Sequence, residues 1–454
     1  MGKITLRQAA EWCGGYVEEK YKDVEFLGAG NDTRVLQPGQ LFVVLQGARD
    51  GHDFIPAAME KGAAAVLCSR RVGDYPAIYV EDPRIALGQI AREELKRIGA
   101  KVVAVTGSVG KSTTKEMIAC VLESTYITHK TPANHNNDIG MPMAVLAMGE
   151  DTQVAVLEMG MNHFREIAYL ASIAKPDVAV IINIGTSHIE FLGSQEGIRK
   201  AKLEILEGMS PDGKLFLNGD DAMLSPLPME IDQSVTYFGT AENCQIRGVD
   251  PVQEPGHLCY TAKTEQGDVD ISLALEGKHY IADSLAAVAV GTAMGVKPEK
   301  IRESLENFRN LAGRQEIFEA RGFTIIKDCY NAGPESMAAA LAVLGGRKTR
   351  RVAVLGDMLE LGVCAQAEHF RVGRIAAENA DLLFAFGPNS DEVATGALTG
   401  GMKESRIFCG TDRNCLIEAL KNEARPGDVL LFKGSRGMHM EWILDGFLSE
   451  NTEE

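Results

Sequence analysis

The chain has 454 residues, too many for one compact core, and its length predicts two to four domains of roughly 100 to 200 residues each. Hydrophobic residues make up 45% and charged residues 24%, as in soluble globular domains, and no apolar run approaches the roughly 20 residues that cross a bilayer. A formal charge of −17 excludes a general nucleic-acid binder, whereas anionic small molecules stay open if Lys, Arg, Mg²⁺ or backbone N–H groups oppose the field locally.

In chain order, MGKITLRQAA lacks the apolar core of a secretion signal, and the nine cysteines show no C-x-x-C pairing, which predicts a reducing cytoplasm and no zinc site. Residues 1–98 alternate short strand-like runs (41–45, 64–68, 77–80) with helical stretches such as 83–98, a small α/β domain. From residue 99 to 311 the pattern becomes strand, glycine-rich loop and helix, followed by apolar runs at 154–157, 178–184 and 214–217. Strands too apolar to alternate predict a mostly parallel sheet covered on both faces. After a boundary near 310–313, runs at 323–328, 351–355, 382–386, 406–409 and 429–433 separated by helical patterns predict a second, doubly wound α/β unit over 312–454.

The loop VTGSVGKSTTKEM at 105–117 carries the strongest chemical signal. Gly107 and Gly110 permit close backbone approach, successive N–H groups and a helix N-terminus face an anion, Lys111 can reach terminal phosphates, and Ser112 can hold Mg²⁺. Val105 stands where the usual phosphate-loop spacing has its first glycine. Glu158, at the end of VAVLE, occupies the strand end where such sheets deliver metal ligands. His188 follows another strand, in NIGTSHIEFLGS. Lys202, among Glu196, Glu204 and Glu207, reads by itself as a surface lysine. No N-K-x-D motif supports a GTPase, while a small-molecule kinase is compatible with the loop but would not need the additional domains.

Together these residues resemble the Mur ligase family, whose phosphate loop reads T-G-[ST]-x-G-K-[ST]-T and so lacks the first glycine; Thr106, Gly107, Ser108, Val109, Gly110, Lys111, Ser112 and Thr113 match it. TPANHNNDIGMP, LEMGMN, YNAGP, VLGDMLELG and FKGSRGM follow in family order, the last three resembling the branch that adds D-alanyl-D-alanine. The resemblance implies three domains: a small α/β unit for the UDP-substrate, a central ATP-binding sheet, and a Rossmann-like unit closing over ATP and D-alanyl-D-alanine. It implies a cytoplasmic, monomeric ligase with no nucleic-acid partner and no membrane span. Such an enzyme activates the carboxylate of UDP-N-acetylmuramoyl-tripeptide as an acyl phosphate before the dipeptide amine attacks. A Mur-type amide ligase with another amino-acid substrate, or a non-catalytic scaffold of the same fold, is the alternative.

By the same resemblance, Lys111 neutralises the transferring phosphate, and Ser112, Glu158, His188 and Lys202 form the site of two Mg²⁺ ions, Lys202 carrying a CO₂-derived carbamate. Carbamylation needs a neutral amine, so burial or nearby cations should depress that lysine's pKa. Arg314, Asp328, Tyr330 and Asn331 match the ATP wall of the last domain; Lys433, Ser435 and Arg436 match a segment near the reacting centre or the dipeptide. Asp32, Thr33, Arg34, Asp50, Gly51 and His52 match the uridine-nucleotide site, and Thr131, Asn134, Asn136 and Asn137 the central substrate loop. The chain departs from the family pattern G-x-H-N-x-x-N, where Tyr280 and Asp283 replace both asparagines. Asp283 is expected to accept a hydrogen bond from adenine but, as a carboxylate, not to donate one. Gly333 and Ala133 are further departures.

Overall fold

Inner strands of a sheet covered on both faces have no polar side to show, and the most apolar runs of the chain take those places. The computed structural model describes residues 2–47, 49–71, 73–227 and 231–449. Lys101–Thr106 runs through the middle of a nine-stranded sheet, pairing in parallel with Val154–Glu158 on one side and Val178–Ile181 on the other. Thr128–Lys130 lies beyond the first; Lys214–Asn218, Ser234–Gly239 and Ile246–Glu254 continue in parallel beyond the second. His257–Thr264 and Gly267–Leu273 then add antiparallel strands. These last two, like Thr128–Lys130, Ser234–Gly239 and Ile246–Glu254, lie outside the runs predicted from sequence. One face of His257–Thr264 is buried and the other largely exposed, so the strand alternates and lacks a continuous apolar run.

The preceding unit is a four-stranded parallel sheet, Ala29–Gly30, Leu41–Val43, Ala65–Cys68 and Ala77–Tyr79, beside a small two-stranded sheet. Helix Pro83–Ile98 begins where Asp82 accepts from the Arg84 and Ile85 N–H groups, with proline in the first turn. It stops at Gly99, whose φ of +74° is left-handed. The buried face of this helix, including Leu87, Ile90 and Leu95, belongs to one apolar cluster running from Ile4 to Leu224. The first and central units therefore share a core across residue 98.

The last sheet is ordered Glu316–Ala320, Phe323–Asp328, Val429–Lys433, Arg351–Gly356, Leu382–Phe386, Ile407–Gly410, parallel except for the first, mostly exposed edge strand. Apolar clusters cover both faces. The proposed divisions after residues 98 and 311 fall between elements, the second in the segment joining helix Pro298–Glu306 to Glu316–Ala320. Among the described residues no helix is long and apolar enough to cross a membrane.

Helices Ala365–Asn379 and Ser390–Thr399 approach backbone to backbone through two glycines. A Cβ on Gly373 would stand 2.0 Å from the Val393 carbonyl oxygen, and one on Gly396 2.0 Å from that of Phe370. Backbone cannot yield as a flexible side chain would, so Gly373→Ala should destabilise the last unit by about 1–3 kcal/mol. Guanidinium unfolding checks this; an unchanged midpoint would contradict the packing.

Candidate active site

Strands that point their carboxyl ends the same way deliver loops to one crevice, and here two such crevices face each other. The central strand Lys101–Thr106 ends in the glycine-rich loop, its neighbours end at Glu158 and lead to Asn183 and His188, and across the gap Asp328 and Lys433 end adjacent parallel strands. Ser108 to Thr113, Asn134, Asn136, Glu158, His188, Asp283, Arg314, Asp328, Tyr330, Asn331 and Lys433 line the resulting cleft of about 400 Å³, a size suited to a small ligand.

The loop is braced from below. Asn183 Oδ1 accepts from the Ser108 and Val109 N–H groups, at 2.9 Å each, and its Nδ2 donates to the Val109 carbonyl. Those two N–H groups therefore serve the fold, contrary to the expectation that the whole run of amides faces an anion; Asn183 imposes the loop's curvature. Thr106 Oγ1 donates to the Met159 carbonyl and Ser108 Oγ accepts from Gly185 N–H, so both hydroxyls also brace the loop. Gly110, at φ +85°, opens helix Lys111–Glu123. Lys111 Nζ donates to the Gly107 and Ser108 carbonyls; burial lowers its pKa, partly offset by Glu158.

Glu158 is buried, with Asn136 Nδ2 donating to Oε1 at 2.8 Å and Oε2 buried without a hydrogen-bond partner. Behind it, Thr131 Oγ1 accepts from Glu158 N–H, and the Thr131 carbonyl accepts from Lys115 Nζ at 2.6 Å. Thr131 is wholly buried and so holds Glu158 in place, a correction to its expected contact with substrate. Asn137 is exposed, and its Oδ1 caps its own helix by accepting from Ile139 and Gly140 N–H. Lys115, fully buried and 3.0 Å from Glu116 and 4.0 Å from Glu158, was missed by sequence reasoning. Its four-residue offset from Lys111 was the available signal, since it puts both lysines on one helix face.

Lys202 is 2% exposed, and its pKa is lowered well below the ordinary value, first by burial and then by the charge on Lys111. The surface reading of this residue is overturned. Its amine is disposed to be neutral, the condition expected for carbamylation. Burial and the same lysine lower His188, which favours neutral imidazole; Glu360 stands 2.7 Å from its Nδ1 without hydrogen-bond alignment. The residues fit a divalent cation in part: Glu158 Oε2 is an unsatisfied anionic donor in the cleft that Ser112 also lines. Among the described residues no three His, Cys, Asp or Glu side chains converge, so hydroxyl, carbamate and phosphate oxygens would have to complete any coordination sphere.

From the opposite side Arg314 donates to Ser112 Oγ at 3.0 Å while its guanidinium lies 4.2 Å from the Tyr330 ring centroid. Lys433 Nζ donates to Asp328 at 2.6 Å and to the Asn331 carbonyl, which occupies the lysine in positioning that wall. Asp283 Oδ1 would be 2.7 Å from a Cβ at Gly110 and accepts from Thr114 Oγ1. Burial pushes this carboxyl up to about 7. In the protonated form, which this burial favours, Asp283 can donate as well as accept, where the carboxylate only accepts. Tyr280 accepts from Asn310 and donates to Gln315, so this departure anchors the segment that joins the two sheets.

Other expected residues do not reach the cleft. Ser435 Oγ accepts from Leu359 N–H and donates to the Ala332 carbonyl, joining three loops, and Arg436 is exposed and paired with Glu441. In the first unit Asp32 pairs with Arg34, beside Thr33. Asp50, next to Gly51, joins His52 Nδ1 at 2.6 Å to Arg70 at 2.7 Å, and His52 Nε2 is buried without a partner. These residues do not line the cleft.

Models of three domains match in succession: the Mur ligase family, catalytic domain over 25–103, the Mur ligase middle domain over 105–291, and the Mur ligase, glutamate ligase domain over 313–436. The UDP-N-acetylmuramoyl-tripeptide–D-alanyl-D-alanine ligases of Bacillus subtilis and Escherichia coli are 40% and 36% identical to the chain, with 98% and 100% of both chains covered. The crystal structure of MurF from Acinetobacter baumannii superposes with a TM-score of 0.89 at 30% identity, covering 99% of this chain and 100% of that one. MurF of Thermotoga maritima, solved in complex with ADP, gives 0.81 at 29%, covering 93% and 97%.

Because Asp283 takes up its proton near pH 7 in the folded chain and near 4 when unfolded, the folded state binds the extra proton between those values. Its burial thus costs nothing at low pH, and the cost grows as pH rises to 7, reaching at most about 4 kcal/mol at roughly 1.4 per unit. Asp283→Asn should unfold at a higher temperature than the parent at pH 8, with the gap closing by pH 4. A gap independent of pH in thermal melts would contradict the buried-carboxyl assignment.

Proposed function

The chain belongs to the Mur ligase family, and we infer that it is the ATP-dependent ligase that joins D-alanyl-D-alanine to the terminal carboxylate of UDP-N-acetylmuramoyl-tripeptide, yielding the pentapeptide precursor of peptidoglycan, ADP and phosphate. The observation that carries the residue-level reading is the single cleft in which Lys111 and Glu158 of one sheet face Arg314 and Asp328 of the other. Phosphoryl transfer leaves the protein little covalent work, so its contribution is positioning and charge stabilisation in a closed site.

In this reading ATP lies along the Ser108–Thr113 loop, with Asp283, Tyr330 and Asn331 around its nucleoside end and Asp328, fixed by Lys433, at the ribose. Lys111 and Arg314 meet the negative charge that gathers as the tripeptide carboxylate attacks the γ-phosphate. Glu158 with Ser112 would hold one Mg²⁺, and His188 with a carbamate on Lys202 a second; such ions supply charge neutralisation at the phosphates. The dipeptide amine then attacks the acyl phosphate, a tetrahedral centre forms at the former carboxyl carbon, and phosphate leaves. Ser112–Arg314 and Thr186–Glu335 contacts hold the last unit over the loop and so keep water from the acyl phosphate. The Asp50–His52–Arg70 group and Asp32–Arg34 are assigned to the uridine nucleotide, which anchors the far end of the substrate. We place the enzyme in the cytoplasm as a monomer.

Purified chain given Mg²⁺, bicarbonate, ATP, the UDP-linked tripeptide and D-alanyl-D-alanine should release phosphate only with both substrates present, with a product of their combined mass less water. Preference for a free amino acid over the dipeptide would redirect the assignment within the family. For Lys202→Ala, loss of the carbamate should lower turnover about 10²–10³-fold, with partial recovery on adding short carboxylic acids; unimpaired turnover would remove Lys202 from the site.

A further inference from the structure

Glu335 enters the cleft from the last unit, in the first turn of helix Pro334–Gly345. Its Oε1 accepts two hydrogen bonds from Thr186, one from the backbone N–H and one from Oγ1, each at 3.0 Å. The carboxylate rests against Gly185, where a Cβ would lie 2.8 Å from its carboxyl carbon. Any larger residue at 185 would displace it. The second oxygen, Oε2, is buried and has no hydrogen-bond partner. Two hydrogen bonds thus fix one oxygen, with Gly185 against the carboxylate, while the other oxygen is left bare.

A buried anion without a partner is costly unless a ligand brings the compensating charge. Among the other acidic groups of the cleft, Asp328 is paired with Lys433, and Glu158, whose Oε2 is also without a hydrogen bond, has the buried Lys115 ammonium 4.0 Å from that oxygen. Two cations enter in the reaction, a divalent metal and the ammonium of the dipeptide. Among the described residues no trio of His, Cys, Asp or Glu converges on a metal, and a single oxygen beside fixed donors suits an N–H donor better than a metal's coordination shell. Building on the ligase reading above, we propose that Glu335 Oε2 receives the ammonium group of D-alanyl-D-alanine and holds its nitrogen towards the acyl carbon, which the nitrogen attacks as the free amine once one N–H proton has passed to the carboxylate. Glu335 is then a specificity determinant for an amine nucleophile, and Thr186 a positioning residue that acts through it.

Steady-state kinetics on the full chain test this with Glu335→Gln, which keeps shape and removes charge, and Thr186→Val, which removes one clamp. For Glu335→Gln the KM for D-alanyl-D-alanine should rise about tenfold to a hundredfold, with KM values for ATP and the UDP-linked tripeptide unchanged. Lactoyl-D-alanine, which has a hydroxyl in place of the ammonium, should inhibit parent and variant equally; Thr186→Val should give a smaller rise of the same kind. Should Glu335→Gln fold poorly, Glu335→Asp, which retains charge on a shorter arm, should raise the same single KM. An unchanged dipeptide KM, or an equal rise in all three KM values, overturns the assignment, as does a shift confined to the Mg²⁺ requirement. A parent chain that makes no product overturns the ligase reading together with this one.

Discussion

Lys111 and Lys202 come from different helices and lie deep enough that the charge on the first disfavours charging of the second. Two protonated amines so placed would repel in a medium that screens poorly, and burial lowers the pKa of both. Glu158 opposes the loss of charge at Lys111, Lys202 is left towards the neutral form, and His188 follows it. A neutral amine is the form that CO₂ can carbamylate.

The braces behind the site make this arrangement rigid. Asn183 shapes the loop, Thr131 and Lys115 hold the strand end that presents Glu158, and Lys433 spends its charge on Asp328. Across the cleft, Arg314, Glu335 and Glu360 each touch a central-unit residue. The cleft is therefore complete only when the two sheets face each other.

The glycine loop, Glu158 and the strand ends were legible because each sits where a short motif meets a predicted strand end, and backbone geometry fixes what lies there. The edge strands were not: Glu316–Ala320 has no buried residue, and the pair after residue 256 has one wet face and carries no apolar run. At single residues the limit was burial. Thr131 and Ser435 carry side chains that could meet substrate, and in the fold both are buried against backbone instead. Asp283 was readable as a departure, but its protonation follows from an apolar setting assembled from distant segments.

By itself the sequence determined the three-unit α/β plan, the phosphate loop and the order of its motifs, since hydrophobic periodicity and loop geometry act within short stretches of chain. It also carried the family resemblance through the same stretches. Only the tertiary structure decided that Lys202 is buried beside Lys111, that Asn183 takes up two loop amides, and that Glu335 brings a bare oxygen into the cleft. Each of these depends on desolvation and on partners 74 to 149 residues away, and charge in a folded protein answers to its neighbours in space.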